Sequence, residues 1–347
     1  MKVLFVINSL KEKSGIERVA CLLANSFDLD LGFEIKIANR DTEKKDTSYN
    51  LNASIDVVNV GGGYYKFFKG INVLVKDFKP DYIFIHNMGR LSLLCSLLSK
   101  VDVKKIISLE HVAFQVRPNW VKFLTKILYK RIDQVVTLTQ SDMKPYKEFH
   151  NNVVQINNIS PFDSENSDID YSIESRTIVS IGRLTFQKNF ESLLEAWKIV
   201  SVQAPDWSLT IYGIKKKKKL LENIIIEDKI DNVYLKGQTS DVQSVYESAA
   251  FYVMSSRFEG LPMVLIEAQS HALPIISYDC PHGPSEVILN DENGYLVQNQ
   301  NPKSLAEAML KLISSDNLRL KFSKNAYQNA KRYSKVEILK EWSKVFN

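Results

Sequence analysis

Twice over, this chain repeats one device: a short, continuously apolar run rich in β-branched residues, then a stretch with helical spacing. Six runs precede residue 160 (2–8, 33–39, 81–87, 105–111, 134–139 and 153–158), and six follow it (177–183, 208–213, 233–237, 251–256, 274–279 and 294–297). A strand carries apolar residues on both faces only where both faces are covered, as in a parallel sheet sandwiched by helices. Parallel neighbours also need crossover connections, which the helical stretches supply. The fold class expected is α/β: two Rossmann-like doubly wound domains facing a central cleft, with ligands at the carboxyl ends of the strands. Between the two series, "NNISPFDSENSDIDYSIESR" (157–176) has linker chemistry: Asn, Ser and Asp, a Pro, and no apolar period. An amino-terminal domain is expected over 1–165 and a carboxy-terminal one over 166–334.

The 347 residues carry 45 basic and 40 acidic side chains, a net charge of +5. That mild excess permits an anionic partner, whether nucleic acid, a lipid surface or a phosphorylated small molecule. No window approaches 18 uninterrupted apolar residues, and "MKVLFVINSL" reads as a first strand, not a signal peptide. Cys21, Cys95 and Cys280 are scattered, with no CxxC or Cys/His cluster. They suit a reducing cytoplasm and offer no metal site.

"RFEGLPMVLIEA" (257–268) keeps two carboxylates, Glu259 and Glu267, in an apolar setting on either side of a Gly-Leu-Pro turn. A buried carboxylate is costly unless something binds it. Gly260, Leu261 and Pro262 mark the turn, and Pro262 suits the first helical position. A helix start at a strand's carboxyl edge offers free amides and a positive dipole end to an anion such as a diphosphate. Met263 and Val264 flank Glu267 one turn back, and both acids can accept hydrogen bonds from sugar hydroxyls. The plain alternative is a surface helix start whose acids favour the dipole.

Four other strand ends carry candidates. In "SIGRLTFQKN" (180–189), Arg183 and Lys188 follow Gly182 and can clamp one diphosphate, Arg183 as a fork. "NSLKEKSGIERVA" (8–20) opens a helix near Ser14-Gly15. "SLEHVAF" (108–114) puts Glu110 and His111 just past a strand, and His86 in "FIHN" holds a similar place. In "CPHGPSEVI" (280–288), Gly283 and Ser285 sit at a short helical start. Solvated loop cations, a structural histidine and an ordinary turn are the unexceptional readings of these stretches. "DID" (168–170) looks like a metal-binding Asp-x-Asp but falls in the linker, and the lysines of 215–219 read as a solvated face. "YYKFFKGINVLVKDFK" (64–79) and "NWVKFLTKILYKR" (119–131) each have an apolar stripe with lysines. Helices packed on the first sheet are the default, with a membrane-surface role left open.

Together, and in this order, these residues resemble the retaining GT-B glycosyltransferases of family four, glycosyltransferase group 1. The family's Glu-x7-Glu motif is matched by Glu259 through Glu267. Its glycine loop is matched by "SGIERVA", its strand-end His by His111, its Gly-Arg…Lys loop by Gly182, Arg183 and Lys188, and a companion motif by "GPSEVI". The departures are Ser14 for a loop glycine, a single glycine in "IYGIKKKKK", and His282 where small residues are common. The resemblance implies that the carboxy-terminal domain binds the sugar nucleotide and the other the acceptor. Arg183 and Lys188 would neutralise the leaving diphosphate, Glu267 hold the ribose and Glu259 the donor sugar. His111 would meet the reacting sugar from across the cleft, and Gly15 would let its loop approach the donor. A last helix near 335–347 would pack back on the amino-terminal domain.

The expected activity is therefore retaining, metal-independent transfer of a hexose or N-acetylhexosamine from a UDP-sugar to a saccharide, with a lipid-linked acceptor foreseen, in surface polysaccharide or glycan synthesis. The nucleotide sugar is a substrate, so no cofactor, metal or nucleic-acid partner is expected. The location expected is cytoplasmic, with a peripheral place on the inner membrane face left open. A GT-B UDP-sugar epimerase and a noncatalytic nucleotide- or anion-binding module are the alternatives.

Overall fold

A computed structural model describes residues 1–11, 15–41, 47–87, 89–98, 103–162, 171–213 and 218–346. Ser14, residues 163–170 of the expected linker with its "DID" triplet, and the first lysines of the 215–219 run lie outside the described residues.

The chain forms two compact units, Met1–Ile159 with Ile338–Asn347, and Ser160–Glu337. The first holds strands β1 (Lys2–Ile7), β2 (Glu34–Asn39), β3 (Asp56–Asn59), β4 (Tyr82–Asn87), β5 (Lys105–Glu110), β6 (Gln134–Thr137) and β7 (Val153–Gln155). Its helices are α1 (Gly15–Leu29), α2 (Tyr64–Phe78), α3 (Leu91–Cys95), α4 (Asn119–Leu128) and α5 (Gln140–Lys147). The second holds β8 (Thr177–Ile181), β9 (Ser208–Tyr212), β10 (Val233–Lys236), β11 (Phe251–Met254), β12 (Ile275–Tyr278) and β13 (Gly294–Val297). Its helices are α6 (Phe190–Gln203), α7 (Lys218–Glu227), α8 (Val242–Glu247), α9 (Met263–Ser270), α10 (Pro284–Val287), α11 (Pro302–Ile313) and α12 (Asp316–Ala330). A last helix, α13 (Lys335–Phe346), follows.

Both sheets are parallel throughout, ordered β3-β2-β1-β4-β5-β6-β7 and β10-β9-β8-β11-β12-β13. In each, the chain winds outward one way and then returns to the other side of the first strand. The reversal falls between β1 and β4 in one sheet and between β8 and β11 in the other, and such switch points are where doubly wound sheets open a crevice for ligands.

Alternation along the buried strands sorts their side chains to two faces. Val3, Phe5 and Ile7 of β1 join the layer containing α1 and α13, while Leu4 and Val6 join the layer of α2 to α5. The expected runs prove accurate as strands but shorter at their carboxyl ends: β5, β8 and β11 stop at Glu110, Ile181 and Met254. Residues 111, 182–183 and 255–256 are thereby released into loops. β3 is an addition to the expected set. Its "DVVN" is four residues on a half-exposed sheet edge, too short and too polar to stand out.

The break between units lies at Ile159/Ser160, six residues before the expected 165/166. Ile156 and Ile159 are buried in the first unit's core. Ser160 belongs with the second, its amide donating to Tyr333 O (2.8 Å) and its hydroxyl bonded to Ser270 Oγ (2.8 Å). The apolar stripe of α13 (Ile338, Leu339, Trp342 and Val345) completes the first unit's core. Trp342 meets the edge of Phe27, Tyr82 Oη donates to Phe346 O (3.0 Å), and Lys105 Nζ donates to Val345 O (2.6 Å).

Candidate functional site

The switch point of the second sheet collects most of the expected residues. Gly182 leaves β8, and its amide donates to Tyr212 O (3.0 Å). Gly213, at the end of β9, presses on it: a β-carbon there would lie 2.4 Å from Gly182 O. The lone glycine of "IYG" is thus required by packing between neighbouring loops. Lys188 lays its methylene stem along Gly182, three carbons standing 3.3 Å from where a side chain would begin.

The Lys188 ammonium ends 2.7 Å from Glu259 Oε1, and both side chains are largely covered. Gln187 Nε2 donates to Glu259 Oε2 (3.2 Å) and to Phe258 O (3.0 Å). Further bonds tie the β8 and β11 loops together. Arg257 N donates to Gln187 O (2.8 Å), and Ser255 Oγ to Lys188 O (2.9 Å). The Arg257 guanidinium lies over the exposed Phe186 ring, 4.1 Å from its centre. Asn189 follows in the left-handed region (φ 52°), fully covered, as is Ser256. Arg183 is exposed, and among the described residues its side chain has no hydrogen-bond or ion-pair partner. The expected pair of cations is therefore one pinned lysine and one open arginine.

Gly260 and Leu261 turn the chain into α9. Pro262 caps this helix instead of occupying its first position, and Met263 begins it, with Leu265 N donating to Pro262 O (3.0 Å). The β12 loop closes on this turn. Gly283 has φ 82°, and a β-carbon there would lie 1.6 Å from Gly260 O. Glu259 N donates to Pro281 O (3.3 Å). Only glycine fits at 283, on grounds of backbone angle and of space. Ser285, in the four-residue α10, is exposed. Val264 is half-buried, while Met263 and Leu261 are buried.

Glu267, in the second turn of α9, is only 3% exposed. Tyr246 Oη on α8 donates to its Oε2 (3.0 Å), so the acid lies inside the lobe beside the phenol. The structure thus gathers Gly182, Lys188, Glu259, Gly260 and Gly283 into one set of touching loops. It leaves Arg183 and Ser285 open to solvent and covers Glu267. Gln187, Tyr246 and Gly213 were not among the expected site residues. The glycine was visible as the end of a strand; the other two carry no local signal.

In the first unit, Gly15 is exposed as the first residue of α1. His111 follows β5 directly. Its Nε2 lies 3.1 Å from His86 Nδ1 on β4, and the two rings stack 14° from parallel. His86 in turn stacks on Phe5. Burial lowers the His111 imidazole from 6.5 to about 4 against the opposing pull of Glu110; burial, helped by the neighbouring His111, also holds His86 well below its ordinary 6.5. Both rings are neutral at pH 7.

Beside them, Glu110 sits in a closed polar cluster. It pairs with Arg117 and accepts from Ser108 (2.5 Å), Tyr129 (2.8 Å) and Tyr146 (3.0 Å). Burial pushes its carboxyl up, but the charge and hydrogen bonds of Arg117, with those of Ser108 and Tyr129, outweigh it and hold the acid ionised below 4.5. Glu110 is an anchor of the strand end that carries His111.

Two family models match the chain: Glycosyl transferases group 1 over residues 164–329 and Glycosyl transferase 4-like over 19–140. The amylovoran biosynthesis glycosyltransferase AmsD of Erwinia amylovora is 33% identical over 100% of this chain and 99% of its own. A Campylobacter jejuni alpha-1,4-N-acetyl-D-galactosaminyltransferase, named for a PP-undecaprenol-carried GalNAc acceptor, is 27% identical over 99% of this chain and 98% of its own. Among solved structures, a point mutant of Staphylococcus aureus TarM, in complex with fondaparinux, alpha-GlcNAc-glycerol and UDP, superposes with a TM-score of 0.81 at 17% identity, covering 100% of this chain and 99% of that one. The names of both relatives are those of transferases, so an epimerase is not favoured.

Proposed function

Since the chain belongs to the group 1 glycosyltransferases of family four and has their GT-B fold, we propose that it transfers a hexose or N-acetylhexosamine from a UDP-sugar to a lipid-carried saccharide, with retention of anomeric configuration, in polysaccharide or glycan assembly. UDP in the TarM complex and the PP-undecaprenol acceptor in the Campylobacter relative's name support the donor and the lipid carrier. The inner face of the cytoplasmic membrane fits such an acceptor, and no described helix is long and apolar enough to cross a membrane.

The observation that carries this reading is the Lys188–Glu259 pair at the switch point of β8 and β11. In the proposal, an arriving diphosphate takes Lys188 as its counter-ion and recruits Arg183, whose side chain has no bond to another described residue to break. Glu259, released from the ammonium, accepts hydrogen bonds from the donor sugar's hydroxyls. Glu267 is assigned to the ribose, and the amides at the start of α9 and around Gly283 and Ser285 to phosphate or sugar. His111, neutral at pH 7, is assigned to the reacting sugar.

As the bond from the anomeric carbon to the diphosphate breaks, negative charge grows on the leaving oxygen. Prearranged cations and amides stabilise that charge more in the transition state than in the ground state. The acceptor hydroxyl attacks on the face the diphosphate leaves, and its proton passes to a leaving phosphate oxygen. No resident cofactor or divalent metal enters this proposal.

The test is UDP release with lipid-linked saccharides, with the anomeric configuration of the product read by NMR. Losing one charge-assisted hydrogen bond, at about 1.5–3 kcal/mol, slows turnover by roughly 10- to 150-fold, and Arg183→Ala and Glu267→Ala are each expected to lose at least that much. Near-normal turnover in both folded variants overturns the site. UDP binding with no UDP release for any acceptor points instead to a noncatalytic binding module.

A further inference from the structure

We infer that the outer face of α4 is a docking surface for an anionic lipid bilayer. The sequence assigns one apolar stripe to this helix, and the structure finds two. Val121 and Thr125 turn inward onto the first sheet, with Leu124 and Leu128 partly covered beside them. Trp120, Phe123 and Ile127 turn outward, 50%, 65% and 50% exposed. Spaced at i, i+3 and i+7, they share one side of the helix. Val116, just before it, is 53% exposed. Single exposed apolar residues are ordinary, but a row of them headed by a Trp marks a binding surface.

The surrounding charge chooses the partner. Helices α2 to α5, on this face of the sheet, carry seven lysines (66, 69, 76, 122, 126, 144 and 147) against Asp77 and the buried Asp142. The opposite face, made by α1 and α13, balances four cations with four acids. Arg90 lies over the Trp120 ring, 5.1 Å from its centre, and among the described residues Lys126 has only the exposed Glu148, at 3.8 Å. An apolar stripe bordered by cations suits a membrane interface: rings enter the acyl boundary while lysines reach anionic headgroups. A protein groove would ask for the apolar row without this one-sided charge.

The inference deepens the reading of a lipid-carried acceptor and rests on it for its purpose. Vesicle binding is measured without donor or acceptor, so either can fail alone. The purified full chain is floated with vesicles of phosphatidylcholine mixed with phosphatidylglycerol, with phosphatidylcholine vesicles as control. Brominated-chain lipid then reads Trp120 selectively, because Trp197, Trp207 and Trp342 are buried.

The expected result is flotation with the anionic vesicles, weakened by 0.5 M salt (about one-half of the 1 M at which the screening length is ~3 Å), with quenched emission. Phe123→Ser with Ile127→Ser is expected to weaken flotation about 10-fold or more while leaving UDP binding and thermal unfolding unchanged. Lys122→Glu with Lys126→Glu is a second variant that spares the apolar row, and it should lose the preference for anionic vesicles. Absence of quenching in the wild type overturns the proposal, as does undiminished flotation of the serine variant. A concentration-dependent dimer that the serine variant abolishes, without vesicle binding, assigns the face to a second copy and overturns it equally.

Discussion

The ammonium of Lys188 rests 2.7 Å from a Glu259 oxygen, and these are the two groups assigned to opposite ends of the donor's sugar–diphosphate linkage. Under the proposed function, Glu259 is the ammonium's counter-ion until a diphosphate takes its place. Lys188→Ala is expected to lower kcat by roughly 10- to 150-fold. Glu259→Gln, which keeps Gln187's contact but removes the charge, should raise the KM for the donor as well. Steady-state kinetics of both singles and the double variant check this. Strictly additive losses would mean that the pair is not coupled in function.

Gly283 and Gly260 are a second contact with a steep consequence. Alanine at 283 meets both a left-handed backbone angle and a carbonyl oxygen 1.6 Å away. The two costs together are about 2–5 kcal/mol, from the conformational penalty and overpacking. Urea unfolding of Gly283→Ala should show that loss. Gly32, also at positive φ but with nothing within 4 Å of an added carbon, should lose only the conformational part.

Trp342 joins α13 to the first unit's core at 2% exposure. Trp342→Ala is expected to cost about 3–5 kcal/mol, the range for removing a large buried aromatic. Denaturant unfolding followed by circular dichroism checks it.

Protonation supplies a fourth expectation. His111 titrates near 6.5 when unfolded and about 4 when folded, so between those values the unfolded chain binds more protons. Its contribution to stability is complete above pH 6.5 and is lost progressively toward pH 4. Below 4.5 the depressed Glu110 carboxyl adds a loss of the same sign as it, too, becomes protonated. The melting temperature should therefore fall as pH drops below 6.5. His111→Gln should flatten the upper part of that fall, and an unchanged profile would contradict the burial assigned to the ring.

Chelation is a fifth. With the leaving charge met by Arg183, Lys188 and backbone amides, turnover should be unaltered by EDTA. Loss of turnover with EDTA, restored by a divalent ion, would refute metal-independent transfer.

The sequence made the strands legible because burial on both faces writes itself as unbroken apolar runs, and this marks twelve of the thirteen strands among the described residues. β3 escaped because an edge strand needs no such run. The loops were legible where the chain must do something unusual in few residues, as at Gly182 and Gly283. Contacts made by residues far apart were not. Tyr246 reaches Glu267 from another helix, and the β8 loop supplies Gln187 to Glu259 across 72 positions. Nothing in local spacing encodes either partner. The membrane-surface role left open for 119–131 could not be tied to particular residues for the opposite reason: an apolar residue at helical spacing reads as core whichever way it faces.

The placement of α13 has a consequence for biosynthesis. Ribosomes deliver Ile338 to Val345 only after the entire second unit, yet these side chains fill the interior of the first. Until they emerge, Phe27 and Phe84 lack the indole that covers them, and the first unit's sheet must wait, unfinished, until the second unit has been made. A stop codon or bulky insertion near residue 338 would thus damage the first unit, which is translated before the second.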